Sequence, residues 1–293
     1  MTFTTKSMKA KTIVVTFLLC VSRALAPDES AQAQNAPVRE ELRYTLTDPT
    51  PIDLASANNT DRSTRTNNLF TGDAEGFQVE SDHLNSALAF DMGKPVRIRD
   101  WIIGNPEFKL GLTNWMDVQI FPQSYFNSWR RGSGFGKPID QDVFGDTTVR
   151  LKINFLCNES QKVGIGLLSV LRIPTGTGNH VLERHFVLPV NYSLPRDFTL
   201  FAKPRIDILD QAHSNGMRVQ WQNSLGLSHT IIGKLSGYAE FCDIISSEVR
   251  GDALGTGFSY QITPYFSIDT DSFFGLTGSV SDYNVFTSFS YRF

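Results

Sequence analysis

The chain has little charge and little cysteine for its length. Charged residues make up 19% of its 293 residues and hydrophobic residues 41%, whereas a water-soluble globular domain carries about 25% charged residues. Beyond the N-terminal leader, no apolar run approaches the ~20 residues that a membrane-spanning helix needs. The composition therefore argues against a soluble globule and against a helix bundle. It fits a β-barrel, in which only alternate residues face lipid.

Clusters of metal ligands are also missing. The cysteines Cys157 and Cys242 have no CxxC partner and no nearby group of histidines, so no metal site is indicated. A disulfide between them would suit an oxidising compartment, but their spacing does not indicate one. Residues 132–137 lack the first glycine of a phosphate loop, and Pro138 stands where that motif needs Ser or Thr. We expect neither a cofactor nor a metal.

The first 33 residues have the order of a cleaved secretory signal peptide. Three lysines precede an apolar run, residues 13–21, and small residues follow it. Cleavage after Ala33 obeys the Ala-x-Ala rule, whereas cleavage after Ala26 would leave Pro27 at the new N-terminus. Removal of residues 1–33 leaves 23 basic and 28 acidic residues, because the leader contains four basic and two acidic groups. This acidic balance does not indicate nucleic-acid binding.

Two regions follow the leader. Residues 34–75 are polar and irregular, and residues 58–68 contain no apolar side chain, which predicts a linker or a plug. Residues 76–293 instead contain short segments of alternating apolar and polar residues. In residues 147–155, for example, Val149 and Leu151 share one face of a strand and the cationic Lys152 lies on the other. The alternation alone does not decide which face is inside.

The connections between these segments alternate between short and long, as they do in outer-membrane barrels. The short ones lie near residues 113–114, 158–161, 194–197, 230–233 and 263–264, and the longer ones near 123–144, 174–184, 211–216, 246–251 and 276–282. With a first hairpin within residues 77–112, the pattern predicts an all-β fold. We expect an antiparallel transmembrane β-barrel of about twelve strands over residues 76–293.

The last strand ends in an apolar, aromatic row. Its members are Tyr283, Val285, Phe289, Tyr291 and Phe293. The row resembles the C-terminal assembly signal of outer-membrane barrels, whose last strand ends in Phe. It predicts binding to the barrel-assembly machinery and contact with the lipid bilayer.

If the apolar rows face lipid, the opposite rows line the lumen. The candidate residues of a solute path are Lys109, Asp117, Arg150, Lys152, Lys203, Arg205, Asp207, Arg218, Lys234, Glu240, Asp269 and Asp271. Their basic surplus would favour anionic solutes, or the charges would pair in a network that stiffens the barrel.

One pair of residues suggests catalysis. Outer-membrane phospholipases and lipid A deacylases carry a His and a Ser on one barrel face, which requires a spacing of two residues. His213 and Ser214 are adjacent and lie close to Gly216, so a polar turn is the better interpretation. We predict that the protein is not an enzyme. A lipid-modifying enzyme and a structural barrel with a filled lumen stay as alternatives.

Several motifs appear in an order that is typical of one family. They are TDR (60–62), GFQVE (76–80), FKLGLTN (108–114), DVQ (117–119), FGD (144–146), RLKIN (150–154), IPTG (173–176), GLT (275–277), DY (282–283) and YRF (291–293). Together they resemble the MetA-pathway-of-phenol-degradation family of outer-membrane transporters. The chain departs from the family pattern at Ser63, where Pro is usual, and at residues 156–158. The resemblance implies an outer-membrane barrel that passes small solutes, such as aromatic or anionic compounds.

Overall fold

The computed structural model describes residues 44–56, 60–61, 69–91, 96–103, 105–123, 125–131, 139–156, 162–177, 181–211, 216–277 and 280–293. Within these ranges, the regular structure is β-strand apart from one 3-10 turn at Ile52–Leu54. No helix in the described part of the chain is long and apolar enough to cross a membrane.

Sixteen strand segments follow one another along the described chain. They are β1 Phe77–Asp91, β2 Val96–Ile103, β3 Asn105–Thr113, β4 Met116–Pro122, β5 Tyr125–Arg131, β6 Ile139–Val143, β7 Thr147–Leu156, β8 Val163–Ile173, β9 Glu183–Val187, β10 Val190–Leu194, β11 Phe198–Asp210, β12 Met217–Ile232, β13 Leu235–Ser246, β14 Arg250–Thr263, β15 Phe266–Gly275 and β16 Tyr283–Arg292.

These segments form one closed antiparallel barrel of twelve strands. β1 pairs with β2 along its second half and with β3 along its first half, so β2 and β3 are two pieces of one long strand. β4 with β5, β6 with β7, and β9 with β10 are interrupted strands of the same kind. β16 pairs with β1, and this pairing closes the sheet on itself. The predicted all-β barrel of about twelve strands is confirmed.

The hairpin around residues 123–144 is longer than the sequence suggests. A long loop was expected over residues 123–144, but β5 pairs with β2 and with β6 inside that range. Backbone hydrogen bonds therefore extend the barrel wall through a stretch that is rich in polar and turn residues. The phosphate-loop-like residues 132–138 lie outside the described chain.

The two faces of the wall differ in chemistry. On β7, Phe155 on the outer face is 56% exposed, whereas Lys152 on the inner face is 0% exposed. On β15, Ile268 points outwards and Asp269 and Asp271 are buried inside. The apolar rows therefore face outwards, where lipid would contact them, and the charged rows line the lumen.

The two rims of the barrel differ as well. We call the rim that contains the start of β1 and the end of β16 the terminal rim, and the opposite one the loop rim. At the terminal rim the Phe293 amide donates a hydrogen bond to the Phe77 carbonyl at 2.9 Å. The rings of Phe77, Phe108, Tyr291 and Phe293 form contacts there, with centroids 4.8–6.4 Å apart. This aromatic cluster lies at the seam between the first and last strands.

The predicted C-terminal row lies on the outer face of β16. Tyr283, Tyr291 and Phe293 are exposed there, and Val285 and Phe289 are half-buried. The inner face of the same strand carries the buried Ser288, Ser290 and Arg292. Recognition of the outer row by an assembly machinery stays a prediction.

Candidate functional site in the barrel lumen

The N-terminal segment preceding β1 enters the lumen. Within it, Asp61 is 4% exposed and Leu69 is 1% exposed. Leu69 fits against β8 where that strand has Gly166, because a Cβ atom at Gly166 would lie 2.7 Å from the Leu69 Cδ1 atom. The sequence of β8 therefore leaves room for the N-terminal segment.

The Asp61 carboxylate is bound by side chains from three adjacent strands. Its Oδ2 atom lies 2.7 Å from Lys109 Nζ on β3 and accepts a hydrogen bond of 2.9 Å from Gln119 Nε2 on β4. Its Oδ1 atom pairs with Lys152 Nζ on β7. We call Lys109, Gln119 and Lys152 the carboxylate site.

Glu80 on β1 fixes the backbone at Asp61. Its carboxylate accepts hydrogen bonds from the Asp61 amide at 3.0 and 3.1 Å and from the Thr60 hydroxyl at 3.0 Å. Glu80 in turn pairs with Lys109 at 3.0 Å and accepts a hydrogen bond from Gln78 at 2.7 Å. Asp61 is thus tied to four strands of the wall.

The lysines determine the charge of Asp61. Burial alone would raise the pKa of its carboxyl group, but the positive charges and hydrogen bonds of Lys109 and Lys152 outweigh burial and hold that pKa below its usual range. Asp61 is therefore an anion at neutral pH. It acts as a bound carboxylate inside the barrel.

An ammonium group lies among the carboxylates of this cluster. One oxygen each of Asp61, Glu80 and Glu107 lie within 4.8 Å of one another, which is close enough for a metal ion. However, Lys109 Nζ lies 2.7 Å from Asp61 and 3.0 Å from Glu80. A cation at this point would meet the lysine, so the geometry fits an ion-pair centre.

The N-terminal segment is also fastened at the terminal rim. Asp73 pairs with Arg292 of β16 at 2.9 Å, and the Gly72 amide donates to Asp117 at 3.0 Å. Asn114, in the turn between β3 and β4, accepts hydrogen bonds from Thr50 at 2.7 Å and Thr71 at 2.9 Å. Residues on both sides of Asp61 are thus held at the same turn.

A second network lies nearer the loop rim. His185 on β9 lies between two carboxylates, with Nδ1 2.7 Å from Asp207 and Nε2 3.4 Å from Glu183. Asp207 also accepts hydrogen bonds of 2.5 Å from Arg205 and from Gln222. The guanidinium of Arg205 also reaches the ring, with Nη2 3.2 Å from His185 Nδ1.

This second network reaches a loop at the loop rim. Glu183 contacts Arg172 on β8 at 3.4 Å, and Arg172 pairs with Asp146 at 3.1 Å. The other oxygen of Asp146 accepts a hydrogen bond of 3.0 Å from the Gly176 amide. Charged side chains therefore join the lumen wall to the loop after β8.

Other candidate residues also line the lumen wall. The Arg150 guanidinium lies 3.6 Å from the centroid of the Phe121 ring, and Lys203 Nζ lies 4.6 Å from that of Phe201. Asp271 accepts a hydrogen bond of 2.7 Å from the Tyr238 hydroxyl.

Three more candidates occupy other parts of the wall. Glu240 and Asp269 are buried. Arg218 pairs with Glu248 at 2.6 Å near the loop rim. These candidates line the wall.

Lys234 does not line the lumen. It lies with Gly233 in the turn between β12 and β13, is exposed, and donates a hydrogen bond to the Ile262 carbonyl at 2.8 Å. The backbone of Gly233 has a φ of +55°, which ends the alternation of the preceding strand. His213 and Ser214 lie outside the described residues.

Asp61, Glu80, Gln119 and His185 were not among the predicted site residues. Asp61, Glu80 and Gln119 occurred in family-like motifs, but no role followed from them. His185 carried no local pattern. The inward position of Gln119, two residues after Asp117 on one strand, was the signal that could have identified it.

The sequence of the whole barrel matches one family model. That family is described as "Putative MetA-pathway of phenol degradation", and the match covers residues 61–293. The chain belongs to this family. The matched range of this family member includes Asp61 and the three residues of the carboxylate site. No curated protein matches the chain in sequence.

Several solved structures resemble this protein to different degrees. An outer membrane channel from Pseudomonas putida F1 is 11% identical, with a TM-score of 0.61, over 76% of this chain and 98% of that one. The NanC porin is 7% identical over 73% and 98% of the two chains, with a TM-score of 0.46. The translocator domain of the autotransporter NalP from Neisseria meningitidis is 12% identical over 74% and 88%, with a TM-score of 0.48. At these identities the first likeness establishes the barrel fold alone, and the other two are too distant to support an argument.

Proposed function

We propose that this protein is a passive channel for small solutes in a bacterial-type outer membrane. The observation that carries the proposal is a closed barrel whose outer face is apolar and whose inner face is charged. Such a wall suits lipid outside and water or polar solutes inside. Family membership and the fold that is shared with an outer membrane channel support the same function.

The orientation and processing of the chain belong to this proposal. Residues 1–33 would direct export and be removed, and the terminal rim would face the periplasm. The outer row of β16 would bind the barrel-assembly machinery. Residues 34–75 would act as a plug, which the contacts of Asp61, Leu69 and Asp73 with the wall support.

The charge pattern bears on solute preference. Lys109, Lys152, Arg205 and Arg218 each have an acidic partner, which supports the structural salt-bridge network. A preference for anions would require that one of these ion pairs opens, so that its basic group becomes accessible to a solute. The reversal potential in a salt gradient tests this preference, which Arg150→Glu combined with Lys152→Glu should weaken or invert.

A barrel with a filled lumen is the second candidate. Glu80, Glu107, Asp117 and Lys152 are each 0% exposed, so side chains and the N-terminal segment fill this level of the lumen. An enzyme finds less support, because the His213–Ser214 pair is adjacent in sequence. A lipid-hydrolysis assay on the folded protein tests that alternative.

Conductance separates a channel from a filled barrel. Refolded protein that shows heat-modifiable migration is added to a planar lipid bilayer in KCl, and heat-unfolded protein serves as the control. Discrete current steps with the folded sample alone are expected. Folded protein that gives neither current steps nor solute uptake in liposomes would contradict the channel and support the filled barrel.

A further inference from the structure

We infer that Lys109, Gln119 and Lys152 form a binding site for a solute monocarboxylate, and that Asp61 occupies this site as an internal substitute. The inference rests on the proposed channel function and names a solute class for it. Small apolar monocarboxylates, with benzoate as the test case, are the ligands that fit.

Three donors converge on one carboxylate. Both Asp61 oxygens are bound: Oδ1 by Lys152, and Oδ2 by Lys109 at 2.7 Å and Gln119 at 2.9 Å. Charge-assisted hydrogen bonds of this kind are about twice as strong as neutral ones. Because the donors belong to the barrel wall, any carboxylate that reaches this level can make the same contacts.

The site does not depend on Asp61 for its shape. Without Asp61, Lys109 would keep Glu80 at 3.0 Å, and Gln119 would keep its hydrogen bond of 2.9 Å to Asp117. Lys152 lies directly opposite Asp117 in the pairing of β4 with β7, and oppositely charged cross-strand neighbours attract each other. Departure of Asp61 therefore leaves the lysines with acidic neighbours, and the donors stay in place.

The surroundings restrict the charge of the ligand. Glu80, Glu107 and Asp117 are buried beside the two lysines. They repel any negative charge beyond the single one that Asp61 already brings, since charges interact strongly in a poorly solvated interior. Monocarboxylates are favoured over dicarboxylates and phosphate esters.

Apolar side chains restrict the body of the ligand. Leu168 is the cross-strand partner of Lys152 and is 1% exposed. Phe121 follows Gln119 on the same inward face and is also buried. A carboxylate bound between the lysines would place its body near these groups, so an aromatic or alkyl body fits better than a sugar.

Asp61 and the solute must compete for the same donors. An internal carboxylate acts at a high effective concentration, in the millimolar range or above, and suppresses binding of a free one. Removal of the Asp61 charge should therefore increase benzoate passage more than chloride passage. A ratio of the two permeabilities isolates this effect from a general loosening of the segment.

The experiment uses the full chain in planar bilayers. Reversal potentials between sodium benzoate and sodium chloride give the benzoate-to-chloride permeability ratio for wild type, Asp61→Asn and the matched control Asp73→Asn. Asp73 is a buried acid of the same segment, but it pairs with Arg292 and not with the site. The ratio should rise on the order of tenfold in Asp61→Asn and stay at the wild-type value in Asp73→Asn.

Chemical rescue gives a second readout. Asp61→Ala removes the internal carboxylate from the site. Sodium benzoate should therefore raise the Tm of this variant above its Tm in sodium chloride of the same concentration, because a ligand stabilises the state that it binds. Wild type should show no such difference. An unchanged permeability ratio in Asp61→Asn, or equal increases in both variants, would overturn the inference if KCl currents are present. Absence of KCl current in all three proteins would instead overturn the proposed channel.

Discussion

Replacing Gly111 by alanine should detach the N-terminal segment from the barrel wall. Gly111 lies on the inner face of β3, and a Cβ atom there would lie 1.8 Å from the Asp73 carbonyl oxygen and 2.9 Å from that of Gly72. These are backbone atoms, so no side-chain rotation relieves the overlap. The Gly111 carbonyl also accepts the Glu75 amide at 2.9 Å, and its amide donates to Gly76 at 3.0 Å.

The size of the effect follows from these contacts. Moving the segment away breaks two backbone hydrogen bonds, each contributing about 0.5–1.5 kcal/mol. It also weakens the buried Asp73–Arg292 pair, whose complete loss would cost about 3–5 kcal/mol. Partial loss of the pair together with the hydrogen bonds gives a decrease of about 2–4 kcal/mol in the free energy of unfolding.

Gly72→Ala is the matched control. A Cβ atom at Gly72 would meet its nearest neighbours at 3.6 Å, which is ordinary contact, so its effect should stay within about 1 kcal/mol. Urea unfolding of both variants in lipid vesicles, followed by tryptophan fluorescence, measures the difference. Equal midpoints for Gly111→Ala and Gly72→Ala would show that the segment does not lie against β3.

Three further outcomes are expected. Leu151→Arg should lower the free energy of unfolding in lipid by about 2–4 kcal/mol, whereas Ile262→Arg near the terminal rim should lower it by about 0–1 kcal/mol. The reason is that the cost of a lipid-facing charge depends on its depth in the bilayer. Equal losses in urea unfolding would contradict the placement of Leu151. Deleting Phe293 should reduce the heat-modifiable protein in the outer membrane without reducing export, and normal levels on immunoblots would count against an assembly role. Folding lowers the pKa of Asp61, so the Asp61 charge stabilises the folded state of the wild type relative to Asp61→Asn. This difference in the free energy of unfolding should be fully present above about pH 4 and should shrink at lower pH. A difference that is the same at pH 7 and pH 2 would refute this.

The strands could be predicted because alternation is a local pattern. Residues 147–155 were expected to alternate as a strand, and they lie in β7 Thr147–Leu156. The alternation no longer predicts which way a side chain points once the strand ends. Lys234 continues the alternation in sequence, but it lies in a turn after Ile232, where the strand no longer separates two environments.

The carboxylate site could not be predicted in the same way. Asp61 lies in an aperiodic polar stretch, and its partners Gln119 and Lys152 are 58 and 91 residues away in sequence. No periodicity links positions so far apart, and a plug needs no regular structure to fit a lumen. The inward lysines were predictable from β3 and β7, whereas the residue that binds them was not.

The double attachment at Asn114 has a consequence for the path of the chain. Thr50 precedes Asp61 and Thr71 follows it, yet both bind Asn114 at the terminal rim. Asp61 therefore lies inside the ring, while described residues that precede and follow it are held at one and the same opening. A segment fastened in this way can enter a barrel that has already closed, and leave it, without passing a chain end through the ring and without forming a knot.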